Sequence, residues 1–396
     1  MTQVEVPTIS QTDRIVKPIF ISGLRKSGTS MSFNLLDGVP GTYTYPRNEV
    51  HFFSYTDSSH ITSNRRRISG PMEDRVEAIC ADKWFRPQPK SSGKKSYYSA
   101  ISFKEQLYKR LDGGLIQTDG DLLESILCAG VHATADYAGQ PIDQMSVVVK
   151  GVQQAEFFPE LLSYFPDIKF IYVLRNPFGQ LNSAIHNLRH AQMGKQEQSR
   201  IDNDSKKLHK KLKYPYLGQR ILEMRLSYYF MRKWAGLHPD NFRILVYDRL
   251  LDNPEAELRP LADWLGVEFD PIMTQVTGQN GSSQRTRSGW SLQGERKAGE
   301  ISKAPMTAWK EQLPGGVQKL VRQLFRDVLQ EFDFDSNGAS ASRWRRFDRS
   351  EDLRTYVANR FLFSKGIRRM VGPDNNTEKP RVDRSELMAG AVIEKR

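Results

Sequence analysis

Residues 17–30 read Lys17-Pro-Ile-Phe-Ile-Ser22-Gly23-Leu-Arg25-Lys26-Ser27-Gly28-Thr29-Ser30. Lys17–Ser22 is a short apolar run closed by a glycine, the pattern of a buried strand. Beyond it, Met31, Phe33, Leu35 and Leu36 predict a helix over Thr29–Asp37, stopped by Gly38 and Pro40. A glycine-rich turn between a strand and a helix lets successive backbone N–H groups curl around an anion. The helix start adds its positive end. Thr29 and Ser30 bring hydroxyls, and Arg25 and Lys26 bring full charges. The bland alternative is a glycine turn that happens to carry surface cations.

Further strands follow at Ser146–Lys150 (SVVVK), Ile168–Leu174 (IKFIYVL) and Phe242–Tyr247 (FRILVY). Tyr43–Tyr45 is a shorter candidate. Helical spacing is read over Leu115–Ala135, Ala155–Phe165, Pro177–Arg189, Tyr216–Ala235, Pro254–Leu265 and Val317–Phe332. Apolar strands alternating with helices predict an α/β fold, a central parallel sheet with helices on both faces. One domain over 17–335 is expected, after a flexible lead-in over 1–16 and before a C-terminal extension over 336–396. Residues 54–113 and 191–213 read as irregular insertions that shape an acceptor pocket, the first carrying short helices. Residues 272–304 read as a long loop.

The chain has 396 residues and a formal charge of +12, from 58 basic and 46 acidic side chains. That balance suits an anionic ligand. The basic residues are dispersed except at Arg65–Arg67, which argues against a nucleic-acid-binding protein, where cations cluster among aromatics. No apolar run reaches the ~18 residues of a membrane span, and the polar start has no signal-sequence pattern, so a cytoplasmic location is expected. Cys80 and Cys128 offer neither a disulfide framework nor metal-ligand spacing and read as buried apolar residues. No metal site is expected.

The spacing of Gly23–Ser30 resembles a nucleoside-triphosphate P-loop with one departure. Thr29 follows Gly28 where such a loop has lysine, and Lys26 lies before that glycine. A lysine inside the loop suits a donor with a single bridge between a phosphate and its leaving group.

The stretch GLRKSGTS resembles the 5′-phosphosulfate loop of sulfotransferases that use 3′-phosphoadenosine 5′-phosphosulfate (PAPS). Val173-Leu-Arg175-Asn-Pro-Phe-Gly-Gln-Leu-Asn-Ser183 is similar to that family's 3′-phosphate element, an arginine at a strand end and a serine in the next helix. Arginine suits the task because its fork binds phosphate oxygens in pairs. Taken alone, Arg-Asn-Pro is equally a helix-start turn. Arg296-Lys297-Ala-Gly299, followed by Trp309-Lys310, resembles the family's basic closing loop, though Ala298 replaces a common glycine and the gap is longer. Ser282, Ser283, Arg285 and Arg287 compete for the same task. Glu49-Val-His51-Phe52-Phe53 resembles the base-bearing segment of heparan-sulfate-type members.

The resemblance implies a P-loop-NTPase-like sulfotransferase fold over residues 17–330, a PAPS-dependent enzyme, and adenosine 3′,5′-bisphosphate as product. Arg25, Lys26, Ser27, Gly28, Thr29, Ser30, Arg175, Ser183, Arg296 and Lys297 would bind PAPS. Glu49 would be the base, His51 would orient or share that role, and Lys26 would stabilise the departing phosphate. Lys150 would lie on the acceptor side. The acceptor would be a hydroxyl, or in second place an amine, of a small molecule, glycolipid or carbohydrate. His186 fits a base on the helix after Arg175, or plain helix surface. The alternative is a P-loop-type nucleotide kinase or NTPase, for which Asp248 is the one candidate magnesium ligand, and Asp248 equally fits a helix N-cap.

Overall fold

The computed structural model describes residue 15 and residues 17–46, 49–50, 52–55, 70–81, 99–134, 145–192, 214–278, 282–283, 299 and 301–334. These residues fall into two compact units. The first takes in the chain up to Leu174, the stretch Lys233–Thr286 and the segment Gly294–Ser302.

Its elements are β1 (Ile19–Ser22), α1 (Thr29–Asn34), β2 (Thr42–Thr44), α2 (Met72–Ala81), α3 (Ala100–Asp112), α4 (Asp119–His132), β3 (Ser146–Lys150), α5 (Phe158–Tyr164) and β4 (Lys169–Leu174). The five-stranded sheet runs β2-β3-β1-β4-β5, where β5 is Phe242–Val246. Every pairing in it is parallel. Strands of Val, Ile, Phe and Tyr suit this because a parallel sheet flanked by helices is buried. Phe20, Ile21, Val148, Val149, Phe170 and Val173 are all buried. The α/β class with a central parallel sheet flanked by helices is therefore as expected, and the short Tyr43–Tyr45 candidate is the edge strand β2.

Strand β1 is central, with β3 on one side and β4 on the other. The chain thus reverses its direction of travel across the sheet beside β1. Crevices at such switch points, beyond the carboxyl ends of the strands, are where α/β proteins hold ligands. On the flank, Phe158 of α5 packs edge-on to Phe170 and Phe242, at 5.5 and 5.1 Å between ring centres. Tyr45 donates to the Ile126 carbonyl at 3.1 Å, pinning α4.

Several boundaries differ from the periodicity. Helix α1 ends at Asn34, and Gly38 follows with φ +79°. Helix α4 starts after Thr118, whose side chain and Asp121 form a reciprocal cap, so Leu115 stays outside and exposed. Between 54 and 113 the described part is more regular than expected. Helix α3 spans 13 residues, begins on a Ser99 cap, and buries Phe103, Leu107 and Arg110.

The second unit comprises Arg175–Arg232, Arg287–Gln293 and the chain from Lys303. It holds α6 (Pro177–Gln192) and most of α7 (Tyr214–Leu237), whose last turn from Lys233 belongs to the first unit. Helices α8 (Tyr247–Asp252) and α9 (Pro254–Leu265) and the short pair β6 (Thr277–Gly278) and β7 (Ser282–Ser283) are again in the first unit. The second unit ends with α10 (Trp309–Gln312), α11 (Gly315–Leu324) and α12 (Arg326–Glu331). The single helix expected over Val317–Phe332 is split at Phe325, whose φ of −121° and ψ of 23° leave the helical region. Phe178 of α6 stacks on Trp309, 4.2 Å between centres. Asp327 receives Arg225 and Arg232, each at 2.7 Å.

Among the described residues no helix is long and apolar enough to cross a membrane, and no group of His, Cys, Asp or Glu could hold a metal ion. Cys80 and Cys128 are buried and not joined in a disulfide, and burial pushes the Cys80 thiol up to about 11.

Candidate active site

The turn after β1 is held in a shape that most side chains resist. Gly23 has φ +152°, and a Cβ there would lie 2.6 Å from the Val173 carbonyl and 2.7 Å from Ser27 Oγ. Lys26 itself adopts φ +71°, a left-handed backbone that costs a non-glycine residue energy and is kept where the surroundings fix it. Gly28 has φ +105°, and its Cβ would fall 2.1 Å from the Tyr247 ring. Tyr247, at the end of β5, therefore lies directly on the loop, and at this position only glycine fits. Ser27 N–H donates to Leu24 O at 3.1 Å, closing the turn.

Inside this turn the Ser27 hydroxyl is buried and has no hydrogen-bond partner among the described residues. A buried hydroxyl left so costs free energy unless something accepts or donates to it. Helix α1 follows with no side chain capping its start. Arg25 and Ser30 are exposed, Lys26 is half-buried and Thr29 is buried. The loop thus offers cations, hydroxyls and an uncapped helix start in one place, which is the chemistry of an oxyanion cradle.

Glu49 and Lys150 come to the same loop. Lys150, at the end of β3, donates to Ser30 Oγ at 2.8 Å and lies 3.5 Å from Glu49 Oε1. Its side chain is 3% exposed and that of Glu49 is 25% exposed. Burial pushes the Lys150 ammonium below its ordinary value, and Glu49 opposes the change. The pair thus has a partly exposed carboxylate and a buried ammonium.

Glu49 is placed by its neighbours. Chain and sheet meet again at Val50, whose N–H donates to Lys150 O at 2.9 Å. Phe52 and Phe53 are buried, and Phe53 stacks on Phe157 at 4.0 Å between centres. Glu49 is therefore carried by a backbone anchored from Val50 onward.

Arg175 and Ser183 belong to the second unit. Arg175 follows β4 directly, is 7% exposed, and donates through Nη2 to the Pro305 carbonyl at 3.1 Å. Its guanidinium lies across Gly179, where a Cβ would come within 3.2 Å of Nε. Asn176 caps α6, accepting from Phe178 N–H at 3.0 Å. Ser183 is half-buried on α6. Asp248 sits in the first turn of α8, behind the cap position Val246. His51, Arg296, Lys297, Arg285 and Arg287 lie outside the described residues, as do the side chain of His186 and most of 1–16, 56–69, 82–98, 193–213 and 335–396.

A model described as the sulfotransferase family matches residues 18–271. The chain belongs to the sulfotransferase family. The match is to the family in general and singles out no heparan-sulfate type. The chain is similar to the sulfotransferase domain of the Synechococcus PCC 7002 olefin synthase, at 14% identity and TM-score 0.42, covering 76% of this chain and 90% of that one. It is similar to the sulfotransferase domain of the curacin biosynthetic pathway at 17% identity and TM-score 0.42, covering 78% and 98%. A sulfotransferase from Mycobacterium avium matches at 14% identity and TM-score 0.39, covering 81% and 77%. No curated protein matches the chain significantly. As a sulfotransferase-family enzyme, the chain has a loop, an acid and a buried ammonium at one sheet edge. Two further residues there escaped the sequence reading. In the sequence Tyr247 is only the end of an apolar run, and Gln154, after β3, carries no signal beyond its place behind Lys150.

Proposed function

We propose that the chain transfers a sulfuryl group from PAPS to a hydroxyl, or in second place an amine, of a small molecule, glycolipid or carbohydrate. The observation that carries this reading is Lys150, which reaches both Ser30 of the loop and the carboxylate of Glu49. One side chain thereby ties an anion-gripping loop to a base.

The residues present fit PAPS. The buried Ser27 hydroxyl awaits a partner, and the backbone around Gly23 and Gly28 has no room for a side chain that would block the turn. When bound, PAPS supplies the sulfuryl group and a phosphate leaving group. Arg25, Lys26, Ser27, Gly28, Thr29 and Ser30 are proposed to bind its 5′ side through charge, hydroxyls and N–H groups. Lys26 is proposed to hold its ammonium against the charge that develops on the leaving oxygen. Arg175 and Ser183 are proposed phosphate ligands in the second unit. Arg296 and Lys297 carry the same proposal from the family resemblance alone, as His51 does for orienting or sharing the base role. Glu49 takes the acceptor proton, and Lys150, its ammonium beside that carboxylate, is proposed to lie on the acceptor side. No metal ion has a part in this proposal.

Thermal-shift titration decides the nucleotide class. Adenosine 3′,5′-bisphosphate should raise the melting temperature more than ATP does, with or without Mg²⁺. A preference for ATP with Mg²⁺ would overturn the reading in favour of a P-loop kinase or NTPase.

A further inference from the structure

We propose that Gln154 is a positioning residue that fixes Glu49 against Lys150, by holding Val50, the residue that joins Glu49 to the sheet. The proposal rests on the reading of Glu49 as the base.

Gln154 is buried, and its amide reaches away from its own segment. Nε2 donates to the Val50 carbonyl at 2.9 Å. Val50 N–H already donates to the Lys150 carbonyl, so both polar groups of Val50 are engaged, one by the strand that carries Lys150 and one by Gln154. Glu49 immediately precedes Val50, so its Cα inherits that restraint.

Gln154 is itself anchored to the strand that carries the loop. Its N–H donates to Ser22 Oγ at 3.0 Å, and Gln153 N–H donates to the Gly23 carbonyl at 2.9 Å. Gln153 takes φ +59° to do so. The turn 151–154 therefore ties three things together: the end of β1 where the loop starts, the end of β3 where Lys150 sits, and the backbone that bears Glu49. The Gln154 side chain spans the last of these gaps.

Gly151 makes the arrangement possible. A Cβ on Gly151 would lie 2.3 Å from the Gln154 carboxamide. The amide thus lies flat over Gly151, and Gln154 Oε1 is buried there with no hydrogen-bond partner among the described residues. A buried unmet acceptor is unfavourable by itself. The fold accepts that cost while Nε2 holds Val50, as expected when a side chain serves placement rather than stability.

The test is a double-mutant cycle read by urea unfolding. Gln154→Met keeps the length and volume of the side chain and removes its donor. Glu49→Gln should shift the unfolding constant several-fold in the native chain and by less than half as much, on a logarithmic scale, in the Gln154→Met background. Asp327→Asn, which touches neither residue, should be additive with Gln154→Met. Affinity for adenosine 3′,5′-bisphosphate should stay within two-fold throughout. In assays with labelled PAPS, kcat should fall about ten-fold with KM for PAPS unchanged. Should Gln154→Met fold poorly, Gly151→Ala displaces the same amide and should reproduce the loss of coupling, while being harmless in a Gln154→Ala background. Additivity of Glu49→Gln with both variants overturns the proposal. Absence of any transfer from PAPS in the native chain would instead overturn the proposed activity, and the cycle would still decide Gln154.

Discussion

Lys150 and Ser30 share a 2.8 Å hydrogen bond that joins the end of the β3 strand to the first turn of the helix after the loop. The same ammonium faces Glu49, so one buried cation is committed to two polar partners. Removing Glu49 leaves that cation beside a neutral group, and the consequences differ for stability and for chemistry.

Glu49→Gln is therefore expected to lower sulfuryl transfer by about 10²- to 10⁴-fold, the range of a lost general base. Affinity for adenosine 3′,5′-bisphosphate should be nearly unchanged, since Glu49 is not among the proposed nucleotide ligands. It should also destabilise the fold by roughly 1–3 kcal/mol near neutral pH, because a buried ammonium loses its counter-charge. The Lys150 pKa already lies below the ordinary lysine value. A depressed lysine opposes folding while it is protonated, so stability lost in the variant should return as pH rises toward that ordinary value. Urea unfolding at neutral and alkaline pH, beside calorimetric binding, checks both halves. Equal loss of binding and turnover would make Glu49 structural.

Ser27→Ala separates a ligand-binding hydroxyl from a structural one. The Ser27 Oγ is buried without a partner, so its removal should leave the melting temperature unchanged or raise it. Affinity for adenosine 3′,5′-bisphosphate should fall about ten-fold, the worth of one hydrogen bond to a charged group. A variant that loses stability and keeps its affinity would place the hydroxyl outside the site.

Gly28→Ala should be the most damaging single-methyl change in the loop. The methyl would overlap the Tyr247 ring, and φ of +105° is itself unfavourable for alanine. Loss of nucleotide affinity together with a lower melting temperature is expected. Adding Tyr247→Ala should recover part of the stability by opening space, but not all of it, because the dihedral strain remains. Full recovery would mean the backbone is not held in that conformation.

How far the sequence reveals this site depends on distance along the chain. Strand β4 is plain in Ile168–Leu174 because seven residues without a turn-former have one compact reading. The helix Pro254–Leu265 is bounded by its own signals, an Asn253 cap and Gly266 beyond. Helix α3 is obscured by the basic and Ser-rich residues around it, although Phe103 and Leu107 form a proper apolar stripe. The loop Gly23–Ser30 is legible because every feature it needs is local. The bond between Lys150 and Ser30 and the ring of Tyr247 on Gly28 depend on how β1, β3 and β5 lie beside one another, and no local pattern encodes that. Gln154 is the extreme case, since a single glutamine after a strand looks like surface until Val50 is found above it.

Arg175→Lys tests geometry apart from charge. The guanidinium lies flat over Gly179 and holds the Pro305 carbonyl. A lysine keeps the charge but cannot present a planar fork. If Arg175 grips a phosphate in pairs of hydrogen bonds, Arg175→Lys should lose about ten-fold or more in affinity for adenosine 3′,5′-bisphosphate, and Arg175→Ala more still. Native affinity in the lysine variant would reduce Arg175 to a simple point charge.

Asp327 sets a pH limit on the second unit. Burial alone would raise its carboxyl, yet Arg225 and Arg232, each 2.7 Å away, hold it below the usual carboxylate range. A carboxyl whose folded pKa is depressed stabilises the fold above its unfolded value and loses that contribution as pH falls through the folded one. Asp327→Asn should therefore cost about 1–3 kcal/mol at neutral pH, where two guanidiniums lose their anion. The gap between variant and native chain should close as pH drops below the ordinary aspartate range, because the native carboxyl then becomes neutral as well. Urea unfolding from neutral to acid pH would follow this, and a gap independent of pH would mean the two arginines are satisfied elsewhere. Since Asp327 is not among the residues proposed to bind the nucleotide, adenosine 3′,5′-bisphosphate affinity measured where both proteins are folded should be the same.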